Sequence, residues 1–343
     1  MKAKTKIWWR AAVCGAMLAL GLAASAQAAD SPPAATGGPF IVGQSGSPSA
    51  QERLRRDALC TKCHDETETK KILSIYQTPH GAIGDQRTPS CQSCHGESKD
   101  HLGGATGNKD HRPRPDHVFG SKLTTAGYDP DTAQEQSEIC ISCHKGGLRM
   151  RWPGSQHENN DVACTGCHVN HNPTDAVRVK EEQPAVCATC HPDRRADIKK
   201  ISAHPIDAGK MTCSDCHNPH GSPGPKLLIK NTVPETCFLC HADKRGPFLW
   251  EHQPVTEDCT NCHDPHGSNI TPLLKSRPPF LCDECHNGPH VSGQVAGPSV
   301  TGLQGGGVAA GGNPSTLMVG RACMNCHVMV HGSNSPAGAF LHR

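Results

Sequence analysis

Cysteine, two spacer residues, cysteine and histidine recur ten times along this chain, opening at Cys60, Cys91, Cys140, Cys164, Cys187, Cys213, Cys237, Cys259, Cys282 and Cys323. We number them motifs 1 to 10 in chain order. Their second cysteines are Cys63, Cys94, Cys143, Cys167, Cys190, Cys216, Cys240, Cys262, Cys285 and Cys326. Their histidines are His64, His95, His144, His168, His191, His217, His241, His263, His286 and His327. Two thiols at this spacing with an imidazole directly after them are the attachment chemistry of a c-type haem. The thiols bond the porphyrin edge, and the imidazole takes one axial position on the iron. Structural zinc closes with four thiolates or with two thiolates and two imidazoles, and does not require His after every second cysteine. A disulfide scaffold explains abundant cysteine in an exported chain but not an unvarying two-residue gap. The motifs take 20 of the 21 cysteines and leave Cys14 alone. The reading is ten covalently attached c-type haems.

A haem iron needs a second axial ligand, and thirteen histidines lie outside the motifs. Each interval after a motif holds at least one: His80, then His101 (or His111, His117), His157, His171, His204, His220, His252, His266, His290, and His331 (or His342). One per interval matches one distal ligand per haem. Met150, Met211 and Met324 lack this periodic placement. The two axial nitrogens approach iron from opposite faces of a wide ring. His220, three residues after His217, is therefore expected to serve a neighbouring haem and to staple successive segments. Bis-histidine ligation fills both axial positions, leaves no substrate site and favours low potential.

The elements that position these residues must be short. Successive motifs are 31, 49, 24, 23, 26, 24, 22, 23 and 41 residues apart. Two kinds of segment alternate five times. In one, a second His follows closely: His95 then His101, His168 then His171, His217 then His220, His263 then His266, His327 then His331. In the other it lies further on: His64 to His80, His144 to His157, His191 to His204, His241 to His252, with His286 to His290 a shortened case. Pro184 to His191 and Pro234 to His241 read as short helices with both cysteines on one face. The close type runs into turns, as in His217-Asn-Pro-His220-Gly. The expected fold is a multihaem cytochrome c, mostly coil with short α-helices wrapped around the haems and negligible β-sheet.

Composition agrees with a cofactor-built interior. Aromatics are 3% and hydrophobic residues 35%, beside 35 Gly and 28 Pro. Such a chain cannot offset its conformational entropy with an ordinary core, so the porphyrins must supply one. Residues 1–28 read as a cleaved signal peptide: Lys2, Lys4, Lys6 and Arg10, an apolar run from Ala11 to Ala24 that contains Cys14, then Ala26-Gln27-Ala28. That run is short for a bilayer span. Residues 29–50 read as a flexible leader, 51–343 as the decahaem domain of five two-haem repeats, and about 291–317 as a Gly-rich surface loop. The formal net charge of +2 becomes about −2 without residues 1–28, and haem propionates add further negative charge. Nucleic-acid binding has no support.

Longer stretches carry a resemblance. Met211-Thr-Cys-Ser-Asp-Cys-His-Asn-Pro-His-Gly-Ser222, Cys240-His-Ala-Asp-Lys-Arg-Gly-Pro247, Leu249-Trp-Glu-His-Gln-Pro-Val-Thr-Glu257 and Val330-His-Gly-Ser-Asn-Ser-Pro-Ala-Gly338 are similar to the decahaem periplasmic cytochromes of the MtrA/DmsE type. The resemblance implies an electron-transfer protein rather than an enzyme, periplasmic and associated with the outer membrane. It implies a porin-like outer-membrane β-barrel around the chain, periplasmic or inner-membrane cytochrome donors, and an extracellular multihaem cytochrome or terminal reductase. It also implies His101 rather than His111 or His117 after motif 2, and His331 rather than His342 near the end.

Overall fold

The computed structural model describes residues 50–68, 70–82, 87–104, 112–121, 127–286, 323–336, 338 and 340–342. These fall in one compact unit, Pro48–Arg343. The signal peptide, almost all of the leader, the Gly-rich loop, His111 and His290 lie outside the described residues.

Described segments are mostly coil and turn, threaded by short helices. Nine are α-helical: α1 (Ala50–Thr61), α2 (Cys91–His95), α3 (Lys99–Gly103), α4 (Ala133–Cys143), α5 (Gln183–Cys187), α6 (Pro192–Asp197), α7 (Val233–Cys237), α8 (Gln253–Glu257) and α9 (Phe280–Asp283). Among the described residues there is no strand. Four isolated bridges join distant segments: Ser202 with Ser268, His217 with Leu228, Trp250 with Ser333, and His263 with Leu274. None of the described helices is long and apolar enough to cross a membrane.

The two kinds of segment differ in backbone. Motifs 1, 3, 5, 7 and 9 sit on or at the end of α1, α4, α5, α7 and α9. Motifs 4, 6, 8 and 10 open on single 3₁₀ turns, Cys164–Gly166, Cys213–Asp215, Cys259–Asn261 and Cys323–Asn325. Helix starts follow from local chemistry. Thr132 and Thr232 each accept a hydrogen bond from the amide three residues on, while Glu135 and Glu235 reach back as capping boxes. Pro occupies the first turn of α5 and α7, where its missing N–H costs nothing. Both helices end at the first cysteine, shorter than the expected Pro184–His191 and Pro234–His241. His191 (φ −113°, ψ 62°) and His241 (φ −97°, ψ 50°) both leave the helical region, and in motif 5 Pro192 also disfavours helical backbone at His191.

Few apolar side chains are buried: Val118, Trp152, Ala163 and Leu274 among the described residues. The best-buried side chains are polar, with Gln136 at 2% exposure and Ser333 at 0%. Gln136 is a junction. Its Oε1 accepts from the Gly120 amide (3.1 Å) and from the Thr165 hydroxyl (2.7 Å), and its Nε2 donates to the carbonyls of Gly120 (2.8 Å) and Asp131 (2.7 Å). It thereby fastens α4 to motif 4 and to the 118–131 segment. Gln136→Leu leaves those buried partners unpaired, each worth about 1–3 kcal/mol. We expect a loss of about 3 kcal/mol in denaturant unfolding of the holoprotein; a change below about 1 kcal/mol contradicts the junction role.

Candidate haem-iron centres

Each motif closes on itself first. The amide of the motif histidine donates to the carbonyl of the first cysteine, at 3.0 Å in motif 1 and 2.9 Å in motifs 3, 4, 6, 7, 9 and 10. One helical turn thus brings both sulfurs and the imidazole together, whether it follows a helix or stands alone.

Next, the motif rings meet other rings. His64 faces His101 with centroids 6.2 Å apart, His95 faces His171 at 6.2 Å, and His144 faces His80 at 5.8 Å. His168 faces His220 at 6.1 Å, His191 faces His157 at 6.3 Å, and His217 faces His266 at 6.0 Å. His241 faces His204 at 6.2 Å, His263 faces His331 at 6.1 Å, and His286 faces His252 at 6.0 Å. The tenth pair, His327 with His342, is closer at 4.4 Å. Imidazoles in van der Waals contact would stand nearer than 6 Å. A metal bonded to both at about 2 Å, with the half-width of each ring added, gives roughly that separation.

The partners follow a lacing order. A far-type histidine reaches forward to the motif two places on: His80 to motif 3, His157 to motif 5, His204 to motif 7, His252 to motif 9. A close-type histidine reaches back two places: His171 to motif 2, His220 to motif 4, His266 to motif 6, His331 to motif 8. At the chain start His101 faces motif 1, and at the end His342 lies against His327 at 4.4 Å, nearer than a metal bonded to both rings would hold them. Staples between adjacent segments were expected, but the rings join segments two motifs apart. His331 faces His263 at the spacing shared by the other eight wide pairs, whereas His342 stands closer to His327 than that spacing. His290, the expected distal residue after motif 9, lies outside the described residues, and no motif follows that a forward-reaching ring could serve. His117 faces no motif histidine. Its Nδ1 meets Asp131 Oδ2 (2.7 Å), and its carbonyl instead accepts from His95 Nδ1 (3.1 Å). Met150 is 70% exposed, and each motif ring already faces an imidazole.

Backbone braces hold the lacing. His157 Nδ1 donates to the Pro219 carbonyl (2.8 Å), His204 Nδ1 to that of Pro265 (2.7 Å) and His252 Nδ1 to that of Val330 (2.9 Å). Each acceptor immediately precedes a close-type histidine, namely His220, His266 or His331. Two of the stretches that carry the family resemblance are brought together here. Trp250 and Ser333 exchange backbone hydrogen bonds (2.9 and 2.8 Å), and Trp250 Nε1 donates to the Ser335 carbonyl (3.1 Å). Glycine follows each of these ligands because the braces are tight. A Cβ on Gly221 (φ +106°) would lie 2.2 Å from the Arg151 carbonyl oxygen, and one on Gly267 (φ +152°) 1.9 Å from that of Asp197. Gly221→Ala adds about 1–3 kcal/mol of backbone strain and must displace its neighbour. We expect a high-spin fraction at motif 4 in the electron paramagnetic resonance spectrum; an unaltered low-spin spectrum contradicts that outcome.

The remaining ring nitrogens are mostly oriented by carbonyls. His101 donates to Pro113 (2.8 Å), His171 to Ile72 (2.9 Å), His217 to Lys226 (2.9 Å), His263 to Pro272 (2.9 Å) and His327 to Phe340 (2.5 Å). A proton held on Nδ1 leaves Nε2 as the lone-pair donor, the tautomer a metal needs. Burial pushes His95, His217, His220, His266 and His331 below the ordinary imidazole pKa, which keeps them neutral and able to ligate.

The sulfurs form a second regular series. The first cysteines of motifs 1 and 2, 3 and 4, 5 and 6, and 7 and 8 come within electrostatic range of one another in pairs, as do those of motifs 9 and 10. At the other junctions the second cysteines come within electrostatic range: Cys94 of Cys143, Cys167 of Cys190, Cys216 of Cys240, Cys262 of Cys285. All nine junctions between successive motifs are thus spanned, alternately through first and second cysteines.

These residues fit a haem better than a protein-only metal site. The described residues gather no group of three or more His, Cys, Asp or Glu placed to hold a metal ion, whereas a structural zinc needs four ligands. What recurs is an opposed imidazole pair beside two cysteines, the ligand set that a porphyrin completes. Trp152 adds a separate sign. Its ring is 6.3 Å from that of His220, and its buried indole N–H has no protein partner. A buried donor without an acceptor suits the edge of a group the chain itself does not supply.

Comparison with known proteins agrees. A family model described as a doubled CXXCH motif matches residues 157–196, 204–246 and 252–290. Each matched unit contains one forward ring and the motif histidine it faces, for example His157 with His191. Over 289 residues the chain is 44% identical to multiheme cytochrome MtrA of Shewanella baltica (strain OS185), covering 83% of this chain and 80% of that relative. The chain belongs to the MtrA family of multihaem cytochromes. The cytochrome c-type protein NrfB of Haemophilus influenzae is 29% identical over 164 residues, 41% of this chain and 69% of the relative. As a member of the MtrA family the chain carries covalent c-type haems and transfers electrons.

Proposed function

We propose that the chain holds ten bis-histidine haems as one continuous electron wire. It runs through a porin-like β-barrel in the outer membrane, between periplasmic or inner-membrane cytochrome donors and an extracellular multihaem cytochrome or terminal reductase. The observation that carries this reading is the coincidence of two regular series: a histidine ring facing the motif ring at about 6 Å in motifs 1 to 9, and cysteines within electrostatic range at each motif junction. The haems supply reversible one-electron chemistry. The chain's own histidines fill both axial positions and deny an external substrate the iron, so the protein is a conductor and not an enzyme. Its lacing fixes each site to segments two motifs away, which keeps neighbouring sites in register. Among the described residues no helix is long and apolar enough to cross a membrane, and a conductor of this kind needs a shield to cross a bilayer.

The test is affinity purification of the tagged holoprotein from detergent-solubilised native outer membranes. Recovery of a β-barrel protein in fixed proportion is the expected result. Recovery of the cytochrome alone from the soluble periplasm contradicts the spanning role and makes it a soluble electron shuttle.

A further inference from the structure

One contact breaks the pattern of the even-numbered motifs. The motif rings of motifs 2, 6, 8 and 10 each donate Nδ1–H to a backbone carbonyl, those of His117, Lys226, Pro272 and Phe340. In motif 4 that place is taken by a side chain: His168 Nδ1 donates to Asp175 Oδ2 at 2.6 Å. The carboxylate is fixed, because Asp175 Oδ1 also accepts from the Val169 amide (3.3 Å). It is also poorly solvated, with the Asp175 side chain 18% exposed and His168 32%. Glu68 makes a similar contact with His64 at 2.9 Å, but that pair is more exposed, at 35% and 37%. Solvent screens it more.

We propose that Asp175 is a positioning and potential-setting residue which makes the motif 4 iron the lowest-potential centre of the even series. A carboxylate on Nδ1–H draws the proton away from the ring and raises the basicity of Nε2. A more basic axial nitrogen favours ferric over ferrous iron, so the midpoint potential falls. A neutral carbonyl at the same place does this far less, which is why motifs 6 and 8 serve as internal controls. The consequence is an uneven wire, in which the motif 4 site lies lower in potential than the other even-numbered sites.

The inference rests on the bis-histidine reading of His168 and His220. The experiment compares wild-type, Asp175→Asn and Asp175→Glu holoproteins by potentiometric titration with optical and low-temperature electron paramagnetic resonance detection. In Asp175→Asn one single-electron component should move to higher potential. The shift should change its ferric-to-ferrous ratio about tenfold at fixed ambient potential, or about 59 mV for one electron. One low-spin signal should change its g values with haem content unaltered, and Asp175→Glu should retain the low potential. Unchanged midpoints in a fully loaded, fully low-spin Asp175→Asn protein overturn the proposal. So does a high-spin motif 4 in that variant, since Asp175 then merely props the ring. A wild-type protein lacking a low-spin haem on Cys164 and Cys167 fails the underlying reading itself, a result visible before any variant is made.

Discussion

Replacing His220 by alanine should open the iron on motif 4 and leave the one on motif 6 intact. Chain proximity argues the opposite, because His220 lies three residues after the motif 6 histidine, His217. The geometry decides it: His220 stands 6.1 Å from His168, while His217 is faced by His266 at 6.0 Å. In His220→Ala one haem should turn high-spin and bind carbon monoxide. Mass mapping after carbon monoxide photolabelling, or the parallel His266→Ala variant, assigns which. The His157 brace is accepted by the Pro219 backbone carbonyl and stays available in this variant, so the loss falls on the iron site itself. End-to-end electron transfer should then fall by roughly 100-fold or more, since losing only an outer hydrogen-bonding partner of a metal ligand costs about 10–100-fold. A high-spin signal arising from motif 6 would contradict the lacing order outright.

The second large effect is on folding. Produced where haem is not attached, the exported chain should be unfolded as a whole, not loosened at individual sites. Four buried apolar side chains among the described residues cannot offset a backbone ordering cost of about 1–2 kcal/mol per residue. The polar junctions at Gln136 and Ser333 are satisfied only once the segments around them are already in place. Circular dichroism should show coil with no cooperative thermal transition. Small-angle scattering should give a radius of gyration near the ~60 Å of an unfolded chain of this length. A compact, cooperatively melting haem-free chain contradicts the idea that porphyrins form the core.

What could be read from the sequence divides along a physical line. The attachment positions are local, since Cys, Cys and His fall within one turn and announce themselves by spacing. The alternation of two segment types is local too, and it reappears as helix-ended motifs against single 3₁₀ turns everywhere but motif 2, which lies on α2. The scarcity of apolar residues indicated coil and short helices before any coordinates. Pairing is different, because it is a tertiary property. One histidine per interval is a correct count for most of the chain, yet it says nothing about whether a ring reaches forward or back. At the end of the chain the count gives His290 and then His331 or His342; His290 lies outside the described residues, and His331 faces a motif two places back rather than its own. Asp175 was illegible for a related reason. A carboxylate seven residues past a motif does the work that backbone carbonyls nine residues past do at Lys226 and Pro272. Only the fold shows that these positions are equivalent.

The account turns on every motif carrying a haem whose iron is closed on both faces by histidine. The most direct measurement is haem content per polypeptide by pyridine haemochrome, taken with the spin state of the same ferric sample by electron paramagnetic resonance. The account predicts ten haems per chain, all low-spin and none reactive with carbon monoxide after reduction. Fewer than ten haems, or a single high-spin iron in the native protein, would contradict it.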